Sequence, residues 1–108
     1  MEDNLNENLM TIGRSAEDNW KILSEADQTD TIFHLEGFPS PYVIVKKPFD
    51  QLEKADVVAA AIACKSKSKY KSISKVSVLW TSVSNVTKGK VTGEFYIKSN
   101  KKVKTITL

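Results

Sequence analysis

The sequence predicts an α+β fold, a single domain whose mixed or antiparallel sheet of about five or six strands carries two main helices. Three observations lead there. Thr31 to Glu36 and Tyr42 to Lys46 read as strands, the first by alternating apolar and polar residues and the second by its β-branched residues. From Leu52 to Ala63, apolar residues recur at the roughly 3.6-residue period of a helix. A length of 108 residues supports one core, and the chain shows no internal repeat or second domain.

Residues 1–8 read as a flexible terminus without apolar periodicity, leaving 9–108 as the domain. Leu9 to Ile12 forms a short strand that Gly13 stops. Ser15 followed by Asp18 resembles a capping box, and Ala16 to Glu25 continues as a helix that buries Trp20 and Leu23. In the next strand Phe33 and Leu35 share one face, Ile32 and His34 the other. Gly37 to Pro41 must turn, because proline cannot donate to a strand ladder, so the two strands make a hairpin with a stiff tip.

Asp50 with Glu53 three residues later marks the start of the main helix. Leu52, Ala55, Ala59, Ile62 and Ala63 face inward on this reading, and Glu53, Lys54 and Asp56 outward. The alternating lysines of Lys65 to Ser72 fit neither an amphipathic helix nor a core strand, which predicts a frayed helix end and a mobile basic loop. Lys75 to Thr81 is a strand burying Val76, Val78 and Trp80. Lys88 to Lys90 is a turn, and Glu94 to Lys98 a strand with Phe95 and Ile97 inward. Asn100 turns the chain into a last strand, Lys102 to Leu108.

The net charge of +3 is unevenly spread. Met1 to Asp56 holds 12 acidic and 5 basic residues, a net −7; Val57 to Leu108 holds 11 lysines against Glu94, a net +10. Clustered lysines gain free energy by displacing counterions from a phosphate backbone, so the second half points to a polyanion. Lys65, Lys67, Lys69 and Lys71 are the densest cluster, with Tyr70 placed to stack on a base; Lys46, Lys47, Lys88 and Lys90 extend it if the fold brings them alongside.

Other classes are poorly served. The single Cys64 has no partner for an intrachain disulfide, and the apolar run Val57 to Cys64 is far shorter than the roughly 20 residues that span a bilayer. With an acidic, polar start, a cytoplasmic protein is expected, the nucleus being the alternative. His34 is the sole histidine, so a zinc site lacks ligands, and no phosphate-binding glycine loop is present. A hydrolase in which His34 activates Ser40 or Cys64 has no orienting carboxylate. The expectation is a protein that is not an enzyme and needs neither cofactor nor metal.

Three clusters occur in order: Gly13-Arg14 with Asn19; Asp30 to Val43 around Phe33-His34 and Pro39-Ser40; and Val78 to Thr81, Ser84 to Lys88, Gly93 and Lys104 to Ile106. Their order and spacing resemble the NFACT-R domain, the RNA-binding module of ribosome-quality-control tailing factors, which also forms the body of small free-standing proteins. Two positions depart: Ile32 stands where the family favours Trp and Tyr42 where it favours His. The resemblance implies RNA binding, to tRNA or ribosomal RNA, in translation or ribosome quality control. Large members add an N-terminal domain and a coiled coil that are not in these residues, so tailing nascent chains is not expected of this chain itself.

The resemblance also marks the positions of Arg14, Asn19, His34 and Ser40, each of which either contacts RNA or serves the fold, Asn19 by holding the turn and Ser40 by shaping the hairpin tip. Arg14 sits at the mouth of a helix N-terminus, where it either meets a phosphate or pairs with Glu17 or Asp18. Histidine and serine bond phosphate or base edges, and Phe33, Phe38 or Tyr42 can stack on a base if exposed. The competing readings are DNA binding through the same patch and a protein adaptor on ribosomal or other assemblies, docking through the acidic N-terminal half.

Overall fold

The central strand Thr31–Leu35 buries residues on both faces, so the sheet around it must be covered twice. The computed structural model, which describes residues 9–108, supplies two different covers. The flexible segment expected at residues 1–8 lies outside the described residues. The strands are β1 (Met10–Ile12), β2 (Thr31–Leu35), β3 (Val43–Val45), β4 (Ser77–Ser82), β5 (Val86–Lys88), β6 (Phe95–Ile97) and β7 (Lys104–Thr107); the helices are α1 (Ala16–Glu25) and α2 (Lys54–Ser66). Five strands form one antiparallel sheet in the order β1-β3-β2-β4-β7, and β5 and β6 pair as a separate antiparallel ribbon.

The fold is α+β, as expected, with the helices on opposite faces. Along β2 and β3 the two-residue period sends Phe33, Leu35, Val43 and Val45 to one side, where Ala60, Ala61 and Cys64 of α2 close over them. Phe33 stacks on Trp80 with centroids 5.5 Å apart. The other side presents Ile32 and Ile44 to Ile22 and Leu23 of α1, and to Val86, Phe95 and Ile97 of the ribbon.

Helix α1 starts where its cap predicts: Ser15 Oγ accepts from the Asp18 N–H at 3.1 Å. Asp18 differs from a capping box, because its carboxylate accepts from the Arg14 N–H at 2.9 Å. Helix α2 begins later than Asp50 suggests. Phe49–Gln51 forms a short 3-10 turn after Pro48, and Glu53 caps the helix, with its N–H donating to Asp56 Oδ2 at 3.0 Å.

That shift rotates the buried face. Asp56, expected outside, is fully buried and pairs with Lys47 Nζ at 2.8 Å, while Ile62, expected inside, is 52% exposed. A carboxylate at the third helical position satisfies the first turn, and the i, i+4 row Asp56, Ala60, Cys64 then sets the contact. The sequence reading also missed β5: Lys88 belongs to that strand, and the turn comes after it.

Candidate nucleic-acid interface

A glycine makes the first junction. A Cβ on Gly13 would lie 1.8 Å from Asn19 Oδ1, so only glycine lets the Asn19 amide reach across. Asn19 Oδ1 accepts from the Tyr42 N–H at 3.1 Å, its Nδ2 donates to the Ser40 carbonyl at 3.4 Å, and the Gly13 N–H donates to the Tyr42 carbonyl at 2.9 Å. Asn19 is thus a buried clamp joining α1 to the hairpin exit.

The ribbon is fastened beside it. Tyr42 is fully buried rather than offered as a stacking face; its hydroxyl donates to the Gly93 carbonyl at 2.7 Å, and burial pushes the phenol up to about 12. Trp20 Nε1 donates to the Glu94 carbonyl at 2.8 Å. Gly93, at φ +93°, approaches α1 so closely that a Cβ there would lie 2.8 Å from the Ala16 Cβ.

His34 lies between these contacts. Its ring meets Tyr42 and Phe95 edge-on at 5.7 and 5.2 Å. Its Nδ1 lies 2.6 Å from the Leu35 carbonyl, which can only accept, so Nδ1 carries the proton and Nε2 a lone pair. Burial lowers the pKa of the ring below its ordinary value and favours this neutral form.

The ribbon stands off from the sheet past this point and leaves a groove of about 1540 Å³. Its walls come from all three sequence clusters: Arg14 with Asn19, His34 with Ser40, and Leu79 with Gly93; Glu94 to Ile97 extend the last wall, and Lys67 and Lys69 reach the same groove from the turn after α2. Phe38, read from the sequence as a stacking face if exposed, also lines it, as does Leu79 of the third cluster, which the sequence does not single out as a contact. Phe38, 38% exposed, packs on Tyr70 at 4.6 Å and so ties the lysine turn to the hairpin tip.

The remaining expected contacts lie elsewhere. Lys46 and Lys47 follow β3 at the end of the sheet where α2 begins, a helix length of about 20 Å from the turn that carries Lys67. Lys65 and Lys71 line a separate hollow of about 270 Å³, where Lys65 Nζ donates to the Leu108 carbonyl. Lys88 bonds Ser24 Oγ and lies over the Trp20 ring, and Lys90 is exposed in the ribbon turn. Of the segment read as a helix end and a mobile loop, Lys65 and Ser66 do end α2, but the loop part includes a turn whose Ser68 is buried and hydrogen-bonded.

The hydrolase constellation does not assemble. Ser40 Oγ accepts from the Leu35 N–H at 3.0 Å, donates to the Pro41 carbonyl and lies 3.6 Å from Cys64 Sγ. Burial pushes the Cys64 thiol up to about 11, which suppresses the thiolate a nucleophile requires. Among the described residues, no group of three or more His, Cys, Asp or Glu side chains could hold a metal, and no helix is long and apolar enough to cross a membrane.

Residues 2–99 match the family model of the NFACT protein RNA binding domain. The C-terminal part of the fibronectin/fibrinogen-binding protein from Streptococcus suis is similar in structure, with a TM-score of 0.80 over 92% of this chain and 17% sequence identity. This chain spans 40% of that one, and at such identity the likeness speaks for the fold alone. No curated protein matches the sequence.

Proposed function

Because the chain belongs to the NFACT RNA-binding domain family, we propose that it is a non-enzymatic module that holds RNA in this groove. The RNA is tRNA or ribosomal RNA, and the setting is translation or ribosome quality control in the cytoplasm. One observation carries the reading: segments distant in sequence converge on one groove, with Arg14, Lys67 and Lys69 among its lining residues. The cations attract the backbone, while Asn19 and Ser40, occupied by hydrogen bonds within the fold, shape the wall.

Titration of labelled tRNA, single-stranded RNA and duplex DNA at several salt concentrations tests the reading. RNA affinity in the micromolar range or tighter, weakening steeply with salt, is expected. Replacing Lys67 and Lys69 by Ala should reduce the slope of log K against log salt by about 0.7 for each single-strand phosphate that is no longer neutralised. No RNA binding at low salt would refute the proposal and turn attention to a protein partner, and tighter binding of DNA would reassign the ligand.

A further inference from the structure

Within that RNA-binding reading, on which this rests, we infer that the groove takes unpaired nucleotides with their bases directed inward, rather than the outer surface of a duplex. The chemistry of the groove changes with depth. Arg14, Lys67 and Lys69 are exposed, whereas Leu79 is buried and Phe95 and His34 are half-buried. Phosphates match the first group. Aromatic and apolar surface matches the faces of bases, which a duplex keeps stacked and out of reach.

His34 adds a polar feature suited to a base edge. With Nδ1 donating to the Leu35 carbonyl, Nε2 holds a lone pair and has no hydrogen-bond partner among the described residues. It is not among the occluded unsatisfied atoms, so it is accessible from the groove that His34 lines. A lone pair repels a phosphate oxygen and accepts from the N–H of a base or from a ribose hydroxyl, so the ring suits the base side of the strand and not its phosphates. Phe38, exposed on the wall and braced by Tyr70, supplies an aromatic face. Glu94, also on the wall, disfavours a phosphate on its side, leaving Arg14 and the two lysines to set where the backbone runs.

The test compares three RNA ligands on the full chain: a single-stranded oligonucleotide, a strand of equal length with abasic riboses, and the first strand annealed to its complement. At salt high enough to suppress lysine electrostatics, the single strand should bind roughly tenfold or more tighter than either of the others. Phe38→Ala loosens the lysine turn for both ligands but should lower single-strand affinity by on the order of tenfold more than abasic affinity, and Phe38→Trp should retain binding. Equal affinity for normal and abasic strands, or equal losses on both in Phe38→Ala, would overturn the base-inward inference while RNA binding stood. Absence of binding to every ligand at low salt would overturn both.

Discussion

On one face of the sheet, α2 sets Ala60, Ala61 and Cys64 directly against Phe33, Leu35, Val43 and Val45. On the other, α1 meets the sheet through Ile22 and Leu23 and the ribbon through Val86, Phe95 and Ile97, fastened by the Asn19 clamp and by the bonds Tyr42 to Gly93 and Trp20 to Glu94. Small side chains let a helix lie flat and exclude water, so the first face closes over Phe33, Leu35, Val43 and Val45. The second is fastened by the bonds to Gly93 and Glu94, and the groove opens beside them. The α2 face thus holds the larger core, while the groove opens on the α1 and ribbon side and reaches round to the turn after α2.

Breaking the closed face should have the largest effect. Phe33→Ala removes a fully buried ring stacked on Trp80 and should cost about 3–5 kcal/mol in urea unfolding. A loss below about 1 kcal/mol would mean that this face is not the main core. Lys47→Ala comes next. It leaves Asp56 buried without its cation, at a cost of roughly 2 kcal/mol, less than in fully buried pairs because the lysine side chain is 30% exposed.

Tyr42→Phe addresses the open face alone. Losing the bond to the Gly93 carbonyl should cost about 1 kcal/mol and speed amide exchange in β5 and β6, while exchange in α2 stays unchanged. Faster exchange in both regions would show that the two faces are not separable. The smallest expected effect is the pH response of His34. Burial lowers its folded pKa below the ordinary 6.5, so the unfolded chain takes up a proton that the native ring resists. Stability should be full above pH 6.5 and fall as pH drops below it, with a slope less than that of one proton. His34→Gln should flatten this part of the profile, and a slope identical to wild type would assign the dependence to other groups.

The closed face and the open face also differ in how legible they were. Strand alternation separated Phe33 and Leu35 from Ile32 and His34, and Ser15 located α1, because those signals are local. The start of α2 was misread because Pro48 inserts a 3-10 turn before Glu53, and local spacing says nothing of the Lys47 partner that buries Asp56. In the site, Arg14, His34 and Lys67 were named without any sign that they meet. Their meeting depends on Asn19 bonding Tyr42 and on Phe38 packing against Tyr70, contacts between residues 23 and 32 positions apart in the chain. β5 escaped notice because Thr87 and Lys88 on it are exposed and resemble a polar loop.

The Phe38–Tyr70 pair has a kinetic consequence. A basic loop that is free in solution must lose backbone freedom each time it grips a polyanion, and that loss subtracts from affinity and slows productive docking. Here the aromatic pair and the Ser68 hydrogen bonds have already ordered the turn bearing Lys67 and Lys69. Binding then restrains only lysine rotamers, so the association rate should be governed by electrostatic attraction and diffusion rather than by a search for loop conformation.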